Sequence, residues 1–194
     1  MRAISLDEYG PAVKALIEAG RIEGRPLGMK VGTPALAHHA ALAALDDSTV
    51  APKPHRKSRM PHDAECVKSA LWLLFDYFEE SHNLCQNIAT PSGSYWHAIL
   101  HRREPDEPNA VYWFRRVGEH PIFPELLADA REFIGTSDHA ELTHLAAGST
   151  WDAPLFAWIC CSKPHVATEK ICAEIQAREW ELLFENNYTK AFLS

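Results

Sequence analysis

Three histidines and one carboxylate stand at spacings that let a helix and its neighbour aim them at one point. His97 and His101 are four residues apart, and Glu104 follows three residues later. At 100° per residue, Ser94, His97, His101 and Glu104 share one helical stripe, while Trp96, Ile99 and Leu100 point elsewhere. A pair of imidazoles at i and i+4 is how one helix offers two nitrogen ligands to a single ion. His82 closes an apolar stripe on the preceding helix, and that helix would aim it at His97 if it packs on the hairpin. The candidate metal ligands are therefore His82, His97, His101 and Glu104, and the candidate cofactor is a divalent transition metal. Ala98 follows His97, so the glutamate base of an H-E-x-x-H protease has no counterpart here.

The same stretch, Ser94 to His120, holds three histidines, four arginines, four acids and five aromatics. Its arginines suit recognition of a small anionic molecule, because a guanidinium meets a carboxylate or phosphate in a two-pronged fashion. Tyr95, Arg102, Arg103, Tyr112, Arg115 and Arg116 are the candidate lining of such a pocket. The competing reading is a closed structural network in which those arginines pair with Glu104, Asp106 and Glu107. A third reading makes His97 an acid–base group oriented by Glu104. No nucleophile elbow, P-loop or dinucleotide fingerprint accompanies it.

The elements that must position these groups read as helices. Ala and Leu total 46 residues, against 25 for Val, Ile and Thr, and no run alternates as a strand would. The spacing predicts a long helix from about His62 to Ile88, with Val67, Leu71, Leu74, Phe78, His82 and Cys85 on one face. A helix from Tyr95 to Arg103 follows, capped by Ser94. Pro105 to Pro108 breaks the chain, and a second helix runs from Asn109 to Val117. Further helices are expected from Pro124 to Gly135, from Ser137 to Ala147, after Asp152, and from Thr168 to about Phe184, with a tail that frays after Asn186. Towards the N-terminus, Ser5 to Glu8 has capping-box spacing, and Thr33-Pro34 reads as a helix start. Asp46 to Pro61, with Lys53, Arg56, Lys57 and Arg59 among prolines, reads as a linker. Ala98, Ala110, Phe114, Val117 and Pro121 stand at the spacing of a tetratricopeptide-type helical hairpin. The expected architecture is all-α: a compact multi-helix domain whose long central helix packs on that hairpin. Residues 1–61 form N-terminal helices and a basic linker, and residues 62–194 form the core domain.

Composition bounds the function classes. With 19 Lys and Arg against 26 Asp and Glu, the net charge is −7, which disfavours a nucleic-acid partner. No apolar run is long enough to span a membrane, and no secretory signal is visible. Five cysteines without a C-x-x-C pair read as reduced thiols, so a cytoplasmic location is expected.

The segments LWLLFDYFEESHNLCQNI, SYWHAILHRREPDEPNAVYWFRRVGEHPIF and AREWELLFENNY resemble a family of bacterial and fungal proteins. Its signature is Y-W-H-x-x-x-H-R-R-E followed by N-x-x-Y-W-F-R-R-V-G. The resemblance covers about Leu71 to Phe123 and, more loosely, the C-terminal helix. It implies an all-α domain without an established activity. It draws attention to His82, Tyr95, Trp96, His97, His101, Arg102, Arg103, Glu104, Asn109, Tyr112, Trp113, Arg115 and Arg116. Two function classes stay open: a polar pocket for a small anion or a metal ion, and a non-catalytic interaction module whose hairpin aromatics hold a peptide.

Overall fold

The computed structural model describes residues 5–22, 27–52, 58–135, 139–162 and 165–194. Among the described residues all the regular structure is helical, with no strand, in line with the composition. The helices are α1 (Pro11–Ile22), α2 (His39–Ala43), α3 (Asp47–Val50), α4 (Pro61–Leu74), α5 (Phe78–Cys85), α6 (Pro91–Arg103), α7 (Glu107–Val117), α8 (Phe123–Ile134), α9 (Ala140–Ala147), α10 (Ala153–Cys161) and α11 (Val166–Tyr188). No helix among the described residues is long and apolar enough to cross a membrane.

The single long helix expected from His62 to Ile88 is two helices. Asp76 takes a positive φ of 61°, a conformation short polar side chains tolerate. The Asp76 and Tyr77 amides fold back onto the carbonyls of Leu73 and Trp72 and end α4. The apolar period runs straight through this break, so spacing alone does not reveal it. Reciprocal hydrogen bonds then clamp α5 to α4: Ser69 Oγ donates to the Ser81 carbonyl (3.1 Å), and Ser81 Oγ to the Ser69 carbonyl (2.9 Å). The α5–α6 corner is tight, since a Cβ on Gly93 would lie 2.2 Å from the Ile88 carbonyl oxygen.

Helix α6 starts earlier than expected. Thr90 is its cap, its hydroxyl accepting from the Gly93 amide (3.1 Å), with Pro91 in the first turn. Ser94 lies inside the helix and is buried. Asp106 caps α7 and Asp152 caps α10 through their carboxylates. The short connection from Glu104 to Asp106 makes α6 and α7 a helical hairpin, closed by the buried Ala98, Ala110, Phe114 and Val117. Thr33 and Pro34 start no α-helix; a 3₁₀ turn at Leu36–His38 leads into α2. Of the expected linker, 47–50 forms α3 and buries Val50, while Lys53, Arg56 and Lys57 lie outside the described residues.

Helix α11 crosses the core. Trp180 donates from Nε1 to the Ala70 carbonyl (3.1 Å), and Asn187 accepts from Trp96 Nε1 (2.9 Å) while donating to Asp63 (2.7 Å). The tail does not fray. It continues as a π turn, Thr189–Leu193, with Ala191 and Phe192 buried and the Arg59 amide on the Ala191 carbonyl (3.2 Å). The apolar cluster runs across position 61: Tyr9, Val13, Leu16, Leu42 and Val50 join the core formed by α4, α6 and α11.

His120, between α7 and α8, is buried. The Ile122 amide donates to its Nδ1 (3.5 Å), which leaves Nε2–H to donate to Ser92 Oγ (3.2 Å). Burial, with the Lys190 charge second, pushes its pKa down to about 4. The unfolded chain therefore binds this proton at higher pH than the native one. The stabilisation is complete above the unfolded value near 6.5 and is lost as pH falls towards 4. Urea unfolding between pH 7 and pH 4 is expected to show about 3 kcal/mol less acid destabilisation in a His120→Gln variant than in the parent. Parallel slopes in the two proteins would refute the assignment.

Candidate metal centre

Helix α5 delivers His82, and α6 delivers His97 and His101 from successive turns. His82 Nε2 and His97 Nε2 are 3.0 Å apart, with their rings perpendicular. His101 lies parallel to His97 at a centroid distance of 4.8 Å and edge-on to His82 at 5.8 Å. One ligand atom from each of the three imidazoles lies within 4.8 Å of the other two. The spacing argument therefore brings together the three histidines it named. His82 reaches His97 from α5, the helix that follows the break at Asp76.

Glu104 serves His101, not His97, so the oriented base expected at His97 does not form. Glu104 Oε2 is 3.0 Å from His101 Nδ1, and Asp106 Oδ2 is 3.9 Å from the same atom. A carboxylate on Nδ1 fixes the tautomer and leaves Nε2 as the free lone pair. His101, Glu104 and Asp106 also form a group with metal-ligating atoms close together. Asp106 was read in the sequence as an arginine partner; its helix-capping role was the signal that it sits at this turn.

His97 is buried, and its Nδ1 has no hydrogen-bond partner. Trp113 of α7 stacks on the ring at 4.1 Å and holds it in place. Burial, and then the charges His101 and His82 would carry, push the His97 pKa down to about 3. The ring is thus neutral at physiological pH. The less costly tautomer has His97 Nε2–H donating to His82 Nε2, because an unpartnered acceptor at Nδ1 costs less than a buried N–H.

The arginines divide into two groups. Arg102 and Arg103 are buried, and their acidic partners are not the expected ones. Arg102 donates to Gln176 from Nε (3.1 Å) and pairs with the fully buried Glu179 through Nη2; Tyr95 donates to the other Glu179 oxygen (2.9 Å). Burial opposes the Arg102 charge, but Glu179 more than offsets this and holds its pKa above the ordinary value. Arg103 donates to the carbonyls of Gly28 (2.7 Å), Lys30 (3.0 Å) and Leu73 (3.5 Å), and pairs with Asp76 (2.6 Å). Arg103 thus caps the last turn of α4. Tyr112, Arg115 and Arg116 stay exposed on α7 beside a shallow depression. The Arg116 guanidinium lies over Trp113 at 5.2 Å, on the ring that stacks against His97. Of the hairpin's aromatics only Tyr112 is exposed, so the structure offers no run of free aromatic side chains there for a peptide.

Comparison of the chain with protein-family models, with curated proteins and with solved structures gave no match.

Proposed function

We propose that this protein binds a divalent transition metal ion through Nε2 of His82, His97 and His101. The convergence of three imidazoles, one of them held neutral by burial, is the observation that carries this reading. Neutral imidazole is the ligating form, and a three-histidine set suits zinc and its neighbours in the transition series. Such a set leaves a coordination position for water or an anionic oxygen, as in metal centres that do chemistry. Glu104 supports the site from behind by orienting His101.

The three ligands contribute unequally. Coordination through His97 Nε2 moves the ring proton to Nδ1, which has no protein acceptor. That buried N–H opposes loading. His101 carries no such penalty, because Glu104 already takes its Nδ1 proton. The Trp113 stack substitutes for a hydrogen bond in fixing the His97 ring.

Elemental analysis of protein made without a histidine tag and without chelator is expected to show about one transition metal per chain. A His97→Ala, His101→Ala double variant is expected to show none, with its helical signal retained. Equal metal content in parent and double variant, or none in the parent after zinc titration, would refute the site. Trp113→Ala leaves all three ligands in place but frees the His97 ring. It is expected to weaken metal affinity by roughly 10- to 100-fold, the range for outer-shell changes, measured by competition with a chromophoric chelator.

A further inference from the structure

The acids at the α6–α7 turn lack the partners that the neighbouring arginines would give them. Arg102 turns to Glu179 and Arg103 to Asp76, and among the described residues no lysine or arginine pairs with Glu104 or Asp106. Both carboxylates converge instead on one imidazole nitrogen. His101 Nδ1 lies 3.0 Å from Glu104 Oε2 and 3.9 Å from Asp106 Oδ2. One ligand atom from each of these residues lies within 4.8 Å of the other two, the same closeness as in the histidine cluster. Carboxylates held this near each other repel, and a cation between them removes that cost. Asn109 Nδ2 donates to Asp106 Oδ2 (2.7 Å) and orients it, as outer partners orient ligating carboxylates. His101 thus belongs to two ligand sets, and its ring has two nitrogens to serve them.

We propose that a second divalent transition metal ion binds His101 Nδ1, Glu104 and Asp106, so that the His101 ring bridges two ions. The bridge rests on the three-histidine reading, which uses the other ring nitrogen, Nε2. A cation on Nε2 makes the Nδ1–H more acidic. The second ion takes the Nδ1 lone pair, the proton leaves to water, and Glu104 changes from proton acceptor to ligand. One imidazole and two carboxylates, without sulfur, suit Mn²⁺, Co²⁺ or Zn²⁺ over soft Cu⁺. The Glu104 and Asp106 side chains are 39% and 37% exposed, so water completes the coordination. The second ion is therefore the weaker one: the protein as purified carries the first, and the second enters on titration.

Zinc titration against a chromophoric chelator tests the proposal. The parent is expected to take up a second ion per chain. Asp106→Asn keeps a helix-capping side chain but removes one ligand charge. It is expected to weaken the second ion by about tenfold and to leave the first unchanged. A Glu104→Gln, Asp106→Asn double variant is expected to take up a single ion. His82→Ala leaves the second set intact and is expected to lose the first ion while keeping the other. With two Cu²⁺ per chain, an imidazolate bridge couples the unpaired electrons, and the EPR signal is expected to fall well below that of two isolated ions. A parent that takes up a single ion in excess zinc would overturn the proposal. So would a second ion retained by the double variant, or an uncoupled EPR signal. Failure of the three-histidine site reads differently: His82→Ala then changes no stoichiometry and the bridge falls with it, while the acid variants still lose an ion.

Discussion

Glu179→Ala is expected to destabilise the protein by about 4 kcal/mol, because it strands the Arg102 charge in the core. Both side chains are fully buried, and Glu179 also accepts from the Tyr95 hydroxyl. Removing the carboxylate leaves a guanidinium with one remaining side-chain partner, Gln176, and a buried phenol without its acceptor. In a domain of this size, each kilocalorie lowers Tm by roughly 2–4 °C, so a fall of roughly 8–16 °C is the expected reading. The reverse experiment separates the pair from its context. An Arg102→Met, Glu179→Leu double variant removes both charges and keeps the volume. It is expected to recover most of the loss, since two buried charges gain little over well-packed apolar side chains. A double variant as unstable as the single would show that the hydrogen-bonded network, not charge compensation, holds this part of the core.

The second large effect is Arg103→Ala. Arg103 satisfies the carbonyls of Gly28, Lys30 and Leu73 and the carboxylate of Asp76. Burial pulls its pKa below the ordinary guanidinium value, with Asp76 opposing that fall. Its truncation strips the Asp76 carboxylate of its cation and the Lys30 carbonyl of its donor, while Gly28, Leu73 and Asp76 keep bonds from Gln176 Nε2 and the Asp76 and Gly32 amides, and is expected to cost about 3 kcal/mol. The structural consequence reaches further than the energy. Asp76 stands with a positive φ at the break between α4 and α5, and α5 carries His82. The variant is therefore expected to lose metal affinity as well as stability, although no ligand has been changed. Arg103→Lys can meet one or two of the four acceptors and is expected to fall between. Unfolding curves give the stability loss whether or not a metal binds. Zinc competition on the folded fraction tests the coupling.

The histidine cluster was legible in the sequence because its logic is local. His97 and His101 are related by helical geometry, and His82 by an apolar stripe that had to face the hairpin. Glu104 was also visible, but its partner was not: three-residue spacing places it on His101, while the oriented-base reading assigned it to His97. The arginine partners were hidden for a different reason. Glu179 lies 77 residues from Arg102, and Asp76 lies 27 residues before Arg103. Neither contact leaves a periodic trace, so the nearby acids at 104, 106 and 107 looked like the natural partners. The break at Asp76 escaped because the apolar period continues through it, and no glycine or proline marks the turn. The order in the C-terminal π turn escaped because its stabilising contacts, such as the Arg59 amide on the Ala191 carbonyl, come from a segment more than a hundred residues away.

The five cysteines give the protein an internal clock for its own opening. All are free thiols; Cys66, Cys85 and Cys172 are sealed in α4, α5 and α11, while Cys160 and Cys161 are partly accessible on α10. Burial raises the Cys66 thiol pKa well above the ordinary value and pushes Cys85 up to about 12. Neither can react with an alkylating reagent until its helix comes away from the core. Their modification rates therefore report the frequency of excursions at two adjoining helices. If α5 opens ahead of α4, Cys85 will be modified in molecules whose Cys66 is still protected. The helix that brings His82 to the cluster can thus be timed separately from the helix that anchors it, with no probe added to the chain.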